Sequence, residues 1–189
     1  MLLGARAFSR TVVDVGTGDG RYPLFVARAM RDTFVIGIDP SIDGLAYAGR
    51  RAVREPLTNL LLLVGEAEST PESLHAKADE VRVHLPWGPL LRGCLGDDDV
   101  VLGSVARLLR PGGTLTVLLS VIDRDGLAMD LDASRLAALP ARYALHGLIV
   151  IEQRSAMRAD VAEAHSSWGK RLDIGRSRPG IVVRSRRGT

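Results

Sequence analysis

The chain predicts a doubly wound α/β fold: a seven-stranded, mostly parallel sheet with helices on both faces and an antiparallel edge at its C-terminal end. Three observations carry this expectation. Residues Thr11–Val15 form an apolar run that leads into Gly16-Thr17-Gly18-Asp19-Gly20, a turn whose glycines let backbone approach a ligand closely. A second apolar run, Thr33–Ile38, follows one helix length later and ends in Asp39-Pro40. Further apolar runs then alternate with segments of helical periodicity, the pattern of βαβ units.

The elements follow in order. Tyr22–Arg31 reads as a helix with Leu24, Phe25, Ala27 and Ala29 among its apolar positions. Ile42–Arg54 is a second helix, with Arg50, Arg51 and Arg54 near its end, where cations suit the helix dipole. Asn59–Val64 is nearly continuously apolar, as a parallel strand buried on both faces should be. Glu80–Leu85 is a fourth strand and Asp98–Leu109 a helix; the turn Arg110-Pro111-Gly112-Gly113 precedes a fifth strand, Thr114–Val121. Ser134–Leu145 reads as a helix interrupted around Pro140. Leu148–Gln153 and Ile181–Ser185 are two late strands without a clear helical crossover, hence the antiparallel edge. No repeat or linker interrupts residues 1–189, which read as one domain.

Bulk composition narrows the class. Hydrophobic residues make up 46% of the 189, which excludes a disordered chain. No apolar run reaches the length of a membrane span, and Met1–Ala7 has too short an apolar core for a signal peptide, so a cytoplasmic protein without a membrane partner is expected. Cys94 is the only cysteine, and His75, His84, His146 and His165 show no ligand spacing, so neither a disulfide nor a metal site is expected. The net charge is only +3, but Trp168–Thr189 holds seven basic residues against the single acid Asp173. Such a stretch suits an RNA phosphate backbone, and equally a solvated surface.

In open α/β sheets the ligand lies beyond the carboxyl ends of the strands. Four segments should converge there: Asp14–Gly20, Asp39-Pro40, Gly65–Glu68 and Leu85–Gly88. Gly16, Gly18 and Gly20 alternate strictly, so the G-x-G-x-x-G spacing of a dinucleotide site is absent. Asp14 and Asp19 flank the turn; they would repel a pyrophosphate but suit a ligand carrying an ammonium and a sulfonium. S-adenosylmethionine (SAM) has both, together with a ribose whose hydroxyls an acid at Asp39 could bind. The expected cofactor set is Asp14, Gly16, Thr17, Gly18, Asp39, Pro40, Glu66, Ala67, Glu68 and Leu85, with Ala67 and one of Glu66 and Glu68 bracketing the adenine. The competing reading is a generic glycine-rich turn in an α/β domain.

Only eight residues are Phe, Trp or Tyr, and both tryptophans fall in expected loops. Trp87 lies after the fourth strand, at the end of the sheet where a ligand is expected. Trp168 lies in the long connection before the last strand. Each either caps the core or offers a flat face to an extruded base.

Asp14-Val15-Gly16-Thr17-Gly18-Asp19-Gly20 looks like the SAM loop of a class I methyltransferase, with its Rossmann-like fold. Two further segments are more specific. Leu85-Pro86-Trp87-Gly88-Pro89-Leu90-Leu91-Arg92-Gly93 is similar to the P-W-G-S-L-L-R-G segment of the 16S rRNA (adenine-1408-N1) methyltransferases, which confer aminoglycoside resistance, and Ser166-Ser167-Trp168 followed by Lys170-Arg171-Leu172 is similar to their late S-W segment. The resemblance runs from about Val12 to the C-terminus. It implies that Trp87 and Trp168 sandwich a flipped adenine with Ser166 near the base. It further implies that Lys170, Arg171, Arg176 and Arg178 meet the RNA backbone, and that the partner of this monomer is 16S rRNA within the 30S subunit. Two positions depart from the pattern. The family carries a longer N-terminal extension with a β-hairpin that docks on the subunit, whereas about a dozen residues precede Asp14 here, and Pro89 stands where a small hydroxyl residue is expected. A methyltransferase of tRNA or of a small molecule, and a SAM-binding protein with weak turnover, remain open as alternatives.

Overall fold

The computed structural model describes residues 8–121, 132–166 and 178–189. Within them run β1 (Arg10–Val15), β2 (Thr33–Asp39), β3 (Leu60–Val64), β4 (Ala78–His84), β5 (Leu109–Leu119), β6 (Leu148–Ser155) and β7 (Ile181–Arg187). They form one seven-stranded sheet in the order β3-β2-β1-β4-β5-β7-β6. The first five are parallel to one another, while β7 lies antiparallel between β5 and β6. The expected fold, including its antiparallel edge, is the one observed.

The helices are α1 (Arg21–Ala29), α2 (Ile42–Arg54), α3 (Gly88–Cys94), α4 (Asp99–Leu108), α5 (Ala133–Ala144) and α6 (Arg158–Glu163). Alternate strand residues face opposite sides of the sheet. Val13, Val15, Ile36, Val81 and Val83 pack with Leu91 of α3, Val101 and Val105 of α4, and Leu139 and Tyr143 of α5. Val12 and Val35 point the other way and pack with Leu24 and Val26 of α1 and Ala48 of α2. Helices therefore cover both faces. Side-chain oxygens start three of them: Ser41 accepts from Gly44 N–H, Asp98 from Val101 N–H and Asp132 from Arg135 N–H.

Three local expectations are corrected. Pro140 does not interrupt α5: the helix is continuous, because Leu139 and Tyr143 are fully buried and the Tyr143 hydroxyl donates to the Cys94 carbonyl at 2.9 Å. This tertiary packing outweighs one lost backbone donor. The Arg110–Gly113 turn lies inside β5, not before it. There the pairing with β4 jumps from Ala78↔Leu109 to Glu80↔Thr114, a bulge that Gly112 accommodates with φ +77°. Finally, α3 begins directly after Trp87 where a loop was expected, and α6 follows β6; at seven and six residues both are too short for periodicity to reveal.

Candidate active site

The strand order reverses at β1, whose neighbours are β2 and β4. Connections leave such a point in opposite directions and open a crevice at the carboxyl ends of the strands. A cavity of about 810 Å³ lies there, of a size to hold a nucleoside-sized ligand. All ten residues expected at the cofactor line it, and so do Trp87 and Ser166.

The glycine-rich turn is pinned by β2. Gly16 N–H and Thr17 N–H both donate to the Ile38 carbonyl, at 2.8 and 3.1 Å. Gly16 sits at φ +73°, and a Cβ there would lie 2.6 Å from Leu90 Cδ2 of α3. The left-handed backbone favours glycine there, and a larger residue would also make the Leu90 side chain shift. Asp39, 8% exposed, ties the turn to α2: Oδ2 accepts from Gly18 N–H at 2.7 Å and Oδ1 from Ser41 N–H at 2.9 Å. Each oxygen keeps a second lone pair, so the carboxylate is fixed in place and still able to accept from hydroxyls.

The two acids beside the turn differ. Asp19 pairs with Arg21 at 2.7 Å, and that guanidinium lies over the Tyr47 ring at 4.7 Å. Asp14 is 2% exposed, and its Oδ1 lies 3.2 Å from Nδ1 of His84, the last residue of β4. The ring of Tyr22 packs on that imidazole at 63°, with centroids 4.5 Å apart. Burial pushes the Tyr22 phenol up, with Asp14 and Glu80 adding to the rise against the nearby Arg82.

After β3, Ala67 is buried, Glu68 half-buried and Glu66 exposed at the cavity wall. The short 3-10 turn Ala67–Ser69 is anchored to α4, where Thr70 N–H donates to Ser104 Oγ at 3.1 Å and the two hydroxyls lie 2.9 Å apart. After β4, Leu85 adopts φ +53°, a left-handed conformation uncommon outside glycine, and bends the chain toward Trp87. Trp87 is 42% exposed and precedes the first residue of α3. Pro89 falls in the first turn of α3, where a missing N–H costs no hydrogen bond; it lines the cavity without supplying a hydroxyl. Ala164 and Ser166 reach the cavity from the end of α6, next to His165, whose ring stacks on Phe25 of α1 with centroids 3.6 Å apart.

Trp168, Lys170, Arg171 and Arg176 lie outside the described residues. Arg178 is corrected. It is 6% exposed, and its guanidinium donates to Ser120 Oγ at 2.7 Å and to the Ser120 carbonyl at 2.9 Å, so it braces the start of β7 instead of presenting charge to a phosphate. His84 and Tyr22 were not anticipated. The available signal was His84 as the last strand residue before Leu-Pro-Trp, but its meeting with Asp14 depends on β1 pairing with β4, which sequence order does not reveal. Among the described residues no cluster of three His, Cys, Asp or Glu side chains could hold a metal ion, and no helix is long and apolar enough to cross a membrane.

Residues 4–187 match the family model of the 16S rRNA (adenine(1408)-N(1))-methyltransferases. The enzyme of that description from Streptoalloteichus hindustanus is 31% identical over 187 residues, covering 93% of this chain and 86% of its own. The one from Escherichia coli is 30% identical over 185 residues, covering 90% and 84%. Among solved structures, a variant of the enzyme from Catenulisporales acidiphilia with its cosubstrate SAM superposes with a TM-score of 0.86 at 29% identity, covering 98% of this chain and 88% of that one. The 16S rRNA methyltransferase KamB gives 0.85 at 30% identity, covering 98% and 91%. The chain belongs to the 16S rRNA (adenine(1408)-N(1))-methyltransferase family.

Proposed function

We propose that this chain transfers a methyl group from SAM to N1 of an adenine in the decoding site of 16S rRNA, acting as a monomer on the 30S subunit and so conferring aminoglycoside resistance. The observation that carries the reading is a single cavity reaching from the glycine-rich turn and Asp39 to Trp87 and Ser166, in a chain that matches the family over residues 4–187. Relatives include an enzyme described as the antibiotic-resistance methyltransferase Kmr, with a TM-score of 0.80.

The residues present fit SAM. Enclosed Asp14 suits its ammonium, the spare lone pairs of Asp39 suit ribose hydroxyls, and Ala67 with Glu68 suits the adenine and its amine. Gly16, Thr17, Gly18, Pro40 and Leu85 complete that wall. When bound, SAM supplies a methyl group on a positively charged sulfur. The chain's own part is to orient and to exclude water. Trp87 provides a flat face for the flipped base, Trp168 the facing wall, and Ser166 a hydroxyl beside it; Lys170, Arg171 and Arg176 meet RNA phosphates. Adenine N1 carries a free lone pair at neutral pH, so no general base is needed. Proximity and orientation can supply up to about 7–11 kcal/mol.

Tritiated SAM offered with 30S subunits, tRNA and free adenosine tests the reading. Label is expected in 30S subunits alone, with a reverse-transcription stop at the decoding-site adenine, because an N1 methyl blocks base pairing. Label in tRNA or adenosine, with no such stop, would transfer the enzyme to one of the alternative substrates.

A further inference from the structure

We propose that His84 is a positioning residue of the cofactor site: its imidazole fixes the Asp14 carboxylate so that one oxygen stays turned to the ammonium of the bound methionyl group. This rests on the reading of Asp14 given above and adds the device that holds it. Asp14 opposes Arg82 across the β1–β4 pair, so His84, two residues further along β4, projects from the same face of the sheet. Its Nδ1 lies 3.2 Å from Asp14 Oδ1. A carboxylate only accepts, so Nδ1 carries the proton and donates it. No described residue donates to Oδ2, and both residues line the cavity.

The surroundings leave this pairing without a competitor. Arg82, on the same face, is ion-paired with Glu80 and bonds Glu163 of α6 at 3.1 Å. From α1, the Tyr22 ring packs at 63° against the imidazole, which limits rotation. A polar group buried to this degree needs a hydrogen-bond partner. With that donor on one oxygen, the opposite oxygen has a defined direction before any ligand arrives, and affinity gains from the preorganisation.

Calorimetry with two probes tests the proposal. SAM carries the ammonium; 5′-methylthioadenosine keeps the adenine and ribose and lacks it. His84→Phe keeps a ring against Tyr22 and removes the donor. It is expected to weaken SAM binding on the order of tenfold and to leave methylthioadenosine binding unchanged, while His84→Asn, with an amide donor, recovers most of the loss. Equal weakening for both probes, or none, overturns the proposal. Nitrogen-15 NMR of the wild-type imidazole provides a readout independent of any variant: protonation at Nδ1 is expected, and a ring protonated only at Nε2 overturns it. Asp14→Asn separates the two levels. If Asp14→Asn spares SAM binding, the ammonium reading fails and His84 falls with it. If it weakens SAM selectively while His84→Phe behaves as wild type, only the role of His84 is lost.

Discussion

Asp39 and Trp87 line the same cavity and differ in nearly every physical respect. Asp39 is 8% exposed, with both oxygens engaged by backbone amides of Gly18 and Ser41. Trp87 is 42% exposed, with a large apolar face turned to solvent and cavity. The wall proposed for the cofactor is made of turns that end strands, clamped by main-chain hydrogen bonds and a buried acid. The wall proposed for the acceptor is made of residues from segments far apart in sequence: Trp87 before α3 and Ser166 after α6. The difference suits the two ligands. A small, polar cosubstrate gains most from fixed donors and acceptors. A base delivered by a large RNA brings its own binding energy and needs mainly a flat surface to stack on.

The largest effect is expected on the cofactor wall. Asp39→Ala leaves the Gly18 and Ser41 amides without their acceptor and removes the ribose contact. Gly18 and Ser41 are exposed, so water can take up their amides. The main loss is the proposed ribose contact: at about 1.5–3 kcal/mol for each hydrogen bond to a charged group, two such bonds lost should lower SAM affinity by at least ~100-fold, as calorimetry would read. SAM binding that survives unchanged would mean that Asp39 does not meet the ribose.

On the acceptor wall the two readouts should separate. Trp87→Ala should lower adenine methylation about 10–100-fold, from the loss of ~1–3 kcal/mol of stacking, while SAM affinity and melting temperature stay near wild type because the ring is already half in solvent. Trp87→Phe should recover part of the rate. A drop in melting temperature with the rate per folded molecule preserved would make Trp87 a cap on the core.

A smaller, pH-dependent effect should mark the anchor of α6, the helix that carries Ser166 to the cavity. Arg154 of β6 holds both oxygens of Asp160 at 2.7 Å, and Met157 N–H adds a third bond. The hydrogen-bonded Arg154 guanidinium holds the Asp160 carboxyl below its usual range, against a smaller opposing push from burial. A carboxyl depressed in the folded state contributes stability above its unfolded pKa of about 3.9 and loses it as the pH falls through the lower folded value. Asp160→Asn should therefore lower the melting temperature by a few degrees at pH 7, about 2–4 °C for each ~1 kcal/mol in a chain of this size. The gap to wild type should close as the pH drops from about 5 to 2. A gap that persists at pH 2 would assign the loss to packing instead of charge.

That the residues expected at the cofactor would share one cavity was legible in the sequence because they follow local rules. Strand runs, the glycine turn and Asp39 each sit within a few residues of a strand end, and a parallel sheet brings strand ends together. Arg178 shows where that logic stops: the resemblance pointed it toward RNA, yet Ser120, 58 residues away, holds the guanidinium inside. Pro140 shows the same from the helical side, since a local rule predicted a break that the buried Leu139 and Tyr143 override.

Taken alone, the chain determined which segments become strands, which face of each is apolar, and that acids rather than bases surround the glycine turn, because periodicity and turn chemistry act over a few residues. Only the tertiary structure decided which strand neighbours which. That choice set Asp14 against His84, buried Asp14 while leaving Asp19 to pair with Arg21 at the surface, and turned Arg178 from a surface cation into an internal brace. The physical reason is that hydrogen-bond partners and burial are properties of the packed whole: a side chain's charge is written in its residue type, but what that charge meets depends on neighbours that the sequence holds tens of residues away.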